Sequence, residues 1–210
     1  MFEHCKPEQL TFPIWLLADS LPERWTNKIR EPLDNRFPTR HNIWTPVWDA
    51  IQATVYLPDK RRVSGSRLCI CNAAPTQANG KPDWDFDGVG IQAQIDAYAT
   101  LLEQYRPTIV LAFGRRAFEF GRRAIHEAPQ REAYSWTCKE LGEKFRTRIA
   151  DFDTSKTNLF PLLHLVIARG HWDAAHHLFT GDSDGDYFLA TGSALGFLIK
   201  TQLAGYDIWE

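Results

Sequence analysis

What this chain lacks narrows its chemistry. There is no Gly-x-x-x-x-Gly-Lys-Ser/Thr loop to cradle phosphates, and the Gly-x-Ser-x-Gly spelling at Gly181-Asp182-Ser183-Asp184-Gly185 falls in an acidic turn rather than at a strand-to-helix elbow that would present a nucleophilic serine. The nearest approach to a dinucleotide fingerprint, Gly88-Val89-Gly90, runs into Ile91-Gln92-Ala93 and follows a loop rather than a strand. Nucleotide-driven chemistry and serine hydrolysis are therefore disfavoured. No apolar run approaches the length of a membrane span, so no membrane partner is expected. The four cysteines, Cys5, Cys69, Cys71 and Cys138, include no Cys-x-x-Cys pair, and no signal peptide opens the chain. Both point to reduced thiols in a cytoplasmic protein. Repeats, low-complexity tracts and linkers are also absent, which makes residues 1–210 one domain.

Excess positive charge is missing too. A formal charge of −2 and a pI near 6.4 argue against a generally basic nucleic-acid binder. Local basic faces remain at the doublets Arg61-Arg62, Arg115-Arg116 and Arg122-Arg123, each near an element boundary, although such doublets are more often simply solvated. Aromatic residues are plentiful, with eight Trp and thirteen Phe to fill a core or stack on flat ligands.

Apolar runs bounded by turn formers predict four strands. The first covers residues 12–18 and ends at Asp19, and the second covers 66–74 with Asn72 near its end. A third spans 108–113 and turns at Gly114, and a fourth spans 160–167 and contains His164 before emptying into Arg169-Gly170-His171-Trp172. Between them, Pro22, Pro32 and Pro38 make residues 21–45 a long ordered loop, and Thr45 with Pro46 starts a helix over 46–53. The spacing Ile91, Ile95, Tyr98, Leu102, Tyr105 predicts a helix that stops before Pro107, and further helices cover 115–125 and 186–203. The polar stretch 127–158 receives no assignment. Strands alternating with helices predict a three-layer α/β/α fold around a central four-stranded parallel sheet.

In such sheets ligands bind beyond the carboxyl ends of the strands. His171, His176 and His177 cluster after the fourth strand, but their spacing matches no zinc pattern such as His-Glu-x-x-His. The acidic run Asp182-Ser183-Asp184-Gly185-Asp186 lacks the distal glutamate of a calcium loop and reads as a solvated turn. Neither a metal nor another cofactor is expected. Asp19, Asn72 and His164 remain, at the ends of strands one and two and within strand four. A carboxylate can stabilise an oxocarbenium-like sugar and orient water, an imidazole can hydrogen-bond a departing base, and an amide can read a base edge. That combination suits cleavage of an N-glycosidic bond.

The order of these pieces resembles the uracil-DNA glycosylase superfamily. The matching segments are Leu16-Leu17-Ala18-Asp19-Ser20, Leu68-Cys69-Ile70-Cys71-Asn72, the stretch from Pro107 through Gly114-Arg115-Arg116-Ala117, and His164 through Trp172. The resemblance implies a glycosylase-like fold, Asp19 and His164 as catalytic groups, and Asn72 and Phe37 as base-binding groups. It also implies DNA contacts from Arg169, His171, Arg115 and Arg116. The implied enzyme is a monomeric, monofunctional DNA glycosylase, in repair or antiviral defence, that flips a pyrimidine and leaves an abasic site. Ala18-Asp19-Ser20-Leu21-Pro22 and His164-Leu165-Val166 differ from the family's acidic and His-Pro-Ser motifs. The substrates considered are therefore uracil and larger modified bases, including a hypermodified viral cytosine. Two other classes remain open: a catalytically inactive interaction module on the same fold, and a small-molecule enzyme acting on nucleosides.

Overall fold

The computed structural model describes residues 5–19, 67–74, 84–170 and 172–203. A short helix, α1 (Pro7–Leu10), leads into strand β1 (Ile14–Ala18), and strand β2 (Cys69–Asn72) lies beside it. Helix α2 (Val89–Tyr105), strand β3 (Ile109–Phe113) and helix α3 (Arg115–Ala124) follow. A single 3-10 turn (Ala133–Ser135) precedes helix α4 (Cys138–Ala150) and strand β4 (Asn158–Leu162). The chain then forms α5 (Leu165–Arg169), α6 (Asp173–Thr180) and α7 (Tyr187–Gln202).

The four strands make one parallel sheet in the order β2-β1-β3-β4. Every position of β1, β3 and β4 is buried, so their apolar runs are covered on both faces, as parallel strands require. The α/β class expected from the sequence is observed, with helices packed around the sheet. Among the described residues β2 and β4 are the edges, which lets β4 carry Pro161 without losing a ladder bond that a central strand would need. Asn158 fastens the entry to β4: its amide nitrogen donates to the carbonyls of Thr108, Asp153 and Lys156 at 2.8–3.0 Å, and its oxygen accepts from the Asp153 amide.

Helix α3 packs across three strands of the sheet, β1, β3 and β4. The approach is tight at Gly121, where a Cβ would sit 2.8 Å from a Leu159 methyl. Although charged in sequence, α3 is buried from Ala117 to its end. Glu119 makes this possible. Its carboxylate accepts from Arg122 at 2.8 Å, Arg123 at 3.4 Å, the Arg131 amide at 2.8 Å and the Trp136 indole at 2.9 Å. The Arg122-Arg123 doublet is thus part of the interior rather than a solvated surface pair.

One further expectation is corrected, and one unassigned stretch is resolved. The fourth strand stops at Leu162 instead of 167, and residues 165–169 form α5, so His164 is not inside a strand. A short apolar run fits a buried strand and a buried helix equally well, and here the run contains both. Residues 127–158 also hold regular structure. Helix α4 starts at a capping box in which the Thr137 hydroxyl accepts from the Glu140 amide and the Glu140 carboxylate accepts from the Thr137 amide. The helix and loop expected over 21–53 lie outside the described residues. Among the described residues no helix is long and apolar enough to cross a membrane.

Candidate functional site

The strand order places one crossover reversal between β1 and β3, because the chain moves outward from β1 to β2 and then returns to β3 on the other side. Open α/β sheets bind ligands at such a point, beyond the carboxyl ends of the strands. The residues there are Asp19 after β1 and Gly114-Arg115-Arg116 after β3. Asn72 ends β2 in register with Ala18, and His164 follows β4 by two residues. The β1–β2 pairing continues past the strands, with the Ala73 amide donating to the Ala18 carbonyl and the Ala74 amide to the Asp19 carbonyl. The sheet edge that carries Asp19 and Asn72 is thereby laced together.

Helix α3 begins at Gly114, which has no side chain to satisfy the orphan amides of the first turn. Asp19 supplies the missing acceptor from the neighbouring strand: its Oδ1 accepts from the Ala117 amide at 3.0 Å. The other oxygen, Oδ2, lies 3.9 Å from His164 Nε2. One carboxylate oxygen therefore holds the helix and the other faces the imidazole. Gly114 permits this arrangement, since its φ is +99° and a Cβ there would lie 3.2 Å from both Asp19 Oδ1 and the His164 side chain.

His164 caps α5, its Nδ1 accepting from the Val166 amide at 3.2 Å. That bond fixes the tautomer. A neutral imidazole whose Nδ1 accepts carries its proton on Nε2, so an N–H donor projects toward Asp19. The His164 side chain is 37 % exposed and Asp19 only 14 %, which leaves the donor reachable and the carboxylate sheltered. Burial pushes the Asp19 carboxyl above its ordinary range, against the opposing pull of His164, the Ala117 amide, Arg116 and Arg115. A base with a raised pKa is better matched to proton transfer near neutrality.

Arg115 and Arg116 flank this pair against an aromatic wall. Arg115 lies 4.6 Å over the Tyr134 ring and Arg116 is held between Tyr134 at 4.7 Å and Trp84 at 5.0 Å. Arg116 Nε is buried with no hydrogen-bond partner among the described residues. Burial lowers the Arg116 pKa, with Asp19 opposing the shift.

Asp19, Asn72, His164, Arg115 and Arg116 thus lie at one sheet edge. Asn72 is half-buried, and among the described residues its side-chain amide makes no hydrogen bond. Arg169 is the last residue of α5. Phe37 and His171 lie outside the described residues. The histidine of α6 that faces inward has structural partners: His176 Nε2 lies 3.1 Å from the Ile167 carbonyl and its ring stacks on Tyr187. Gly114, Trp84 and Tyr134 are not among the site residues that sequence reasoning singles out. The strand-Gly-Arg-Arg turn is a usable signal for the glycine, whereas nothing in the spacing links Trp84 and Tyr134 to Arg116. Compared with protein-family models, with curated proteins and with solved structures, the chain matches none.

Proposed function

We propose that this protein is a monofunctional DNA glycosylase with a uracil-DNA glycosylase-like fold, acting as a monomer on DNA. The observation that supports this best is the opposition of a His164 Nε2–H donor and a sheltered Asp19 carboxylate across Gly114, at the carboxyl edge of the parallel sheet. Cleaving an N-glycosidic bond needs those two groups together. As the C1′–N bond breaks, the sugar becomes oxocarbenium-like and the departing pyrimidine gathers negative charge on a carbonyl oxygen.

In this reading Asp19 stabilises the sugar cation and orients water for attack on C1′, while His164 donates a hydrogen bond to the base oxygen. Water supplies the hydroxyl that ends on C1′, and its remaining proton leaves with the base or to solvent. Asn72 pairs with the base edge using its amide donor and acceptor. Arg115 and Arg116 meet the backbone phosphates, a role that an acidic protein must concentrate locally. Phe37 stacks on the extruded base, and Arg169 and His171 add DNA contacts. Extrusion costs a few kcal/mol and is cheapest for mispaired or abnormal bases.

The test is incubation with duplexes and single strands bearing uracil, 5-hydroxymethylcytosine or glucosylated hydroxymethylcytosine, followed by alkaline cleavage at abasic sites. Release of one of these bases, lost in Asp19→Asn and His164→Ala, is the expected result. Salt-dependent DNA binding with no base release from any substrate would identify the inactive module instead. Turnover of free nucleosides without DNA affinity would identify the small-molecule enzyme.

A further inference from the structure

We propose that Cys5, Cys69 and Cys71 form a binding site for one thiophilic metal ion, Zn²⁺ in the first instance. Cys69 and Cys71 are two apart on β2, so the pleat sends both side chains to one face of the sheet. Cys5, just before α1, brings a third sulfur to the same place from the start of the chain. The Cys5–Cys69 sulfur separation is 2.7 Å, the Cys69–Cys71 separation is 3.4 Å, and all three sulfurs lie within 4.8 Å of one another.

Two of these separations are shorter than a mononuclear site requires and the third is at most 4.8 Å, so the sulfurs would part slightly to receive an ion. Tetrahedral ligation at a Zn–S distance of about 2.3 Å sets thiolates roughly 3.8 Å apart. A disulfide would account for Cys5 and Cys69 alone and leave the convergence of Cys71 unexplained. An iron–sulfur cluster takes four cysteine ligands, and Cys138 belongs to α4 rather than to this group. Three soft donors select Zn²⁺ or Cu⁺ over harder ions, with a water or exogenous ligand completing the shell. Cys69 and Cys71 are buried and Cys5 is half-buried, which supplies a sheltered site with one approachable side. Binding of a divalent ion would displace the thiol protons to buffer, exchanging mutual thiol crowding for metal–sulfur bonds.

The site would be structural. Among the described residues β2 is a four-residue edge strand bonded on one side, to β1, and it carries Asn72 directly after Cys71. A metal joining it to Cys5 would fasten that edge across 64 positions of sequence.

Protein purified under reducing conditions is expected to contain about one equivalent of zinc by elemental analysis. Replacement by Co²⁺ should give a thiolate-to-cobalt charge-transfer band, and Zn absorption fine structure should show three sulfurs near ~2.3 Å. Cys69→Ser and Cys71→Ser should lose the metal and the band, and Cys138→Ser should retain both. The absorption measurement uses the unaltered chain, so it stands even where a variant fails to fold. Fully reduced protein that binds neither Zn²⁺ nor Co²⁺ would overturn the proposal. So would a Cys5–Cys69 disulfide as the only modification, or iron with acid-labile sulfide in place of a single ion.

Discussion

Helix α3 carries an arginine pair at each end, and the two pairs live in opposite electrostatic conditions. Arg122 and Arg123 occupy the last turn, where the helix dipole favours cations, and the buried Glu119 carboxylate binds both. Glu127 adds a second anion, accepting from Arg122 at 3.0 Å and pairing with Arg148. Arg115 and Arg116 occupy the first turn, where the dipole disfavours cations. The anion they face, Asp19, is divided between the Ala117 amide and the side facing His164, and no ion pair within 4 Å joins it to either arginine among the described residues. One pair is fully compensated and serves packing. The other is held by aromatic rings at a sheet edge with capacity left for an external anion, which is what a phosphate-binding mouth requires.

The sharpest way to break this comparison is to remove each pair's anion while keeping its shape. Glu119→Gln should destabilise the fold by about 3–5 kcal/mol in urea unfolding, because the two buried guanidinium groups lose the carboxylate they share, leaving Arg122 with Glu127 and Arg123 with the exposed Asp87 at 3.9 Å. A loss below about 1 kcal/mol would mean that the interior network contributes little, against the cost of stranding a buried charge. Asp19→Asn should behave differently. The amide oxygen still accepts from Ala117, so the fold should survive, while base release should fall by about a hundredfold or more. Unchanged release in a folded Asp19→Asn protein would remove Asp19 from the chemistry.

Much of this arrangement can be read from the chain, for identifiable reasons. β1 and β3 are unbroken apolar runs closed by Asp19 and Gly114, and α2 has a clean helical period, so period and punctuation agree. The end of β4 cannot be read that way, because Leu162 through Ala168 is apolar apart from His164 and the switch there depends on a cap, not on hydrophobicity. Helix α4 is hidden by its charged exposed face, although Thr137-x-x-Glu140 is a legible start signal. Glu119 stands three and four residues before the arginines it binds, a spacing that on a helix predicts the pairing. Trp84 on Arg116, and Cys5 beside Cys69, are long-range meetings that no local pattern encodes.

The pair at the start of the helix offers a gentler test. Arg115→Ala with Arg116→Ala should weaken DNA binding and reduce the salt slope of log K by about 2, roughly one for each phosphate no longer neutralised. Stability should change little for Arg115, whose side chain is largely exposed, surface substitutions being typically within about 0.5 kcal/mol. Salt slopes that match the unaltered protein would place the DNA, or any other anion, elsewhere.

The smallest expected effect concerns pH, and it sets the two ends of the helix in opposition. Burial raises the Asp19 carboxyl above its ordinary 3.8, so the folded state holds that proton more tightly than the unfolded chain does. Its contribution to stability is full below the unfolded value and is lost as pH rises through the folded one. Glu127 has the other sign. Burial pushes it up, but Arg148 and Arg122 more than offset this and hold it below its ordinary 4.5. Its contribution is present above that value and is lost as pH falls through the lowered one. Urea midpoints across acid to neutral pH should therefore diverge in opposite directions. Asp19→Asn should gain on the unaltered protein as pH rises, and Glu127→Gln should lose ground over the same rise. Difference curves with the same slope would show that the carboxylate at the sheet edge is as well compensated as the one beyond the helix's other end, and the distinction between the two arginine pairs would fail.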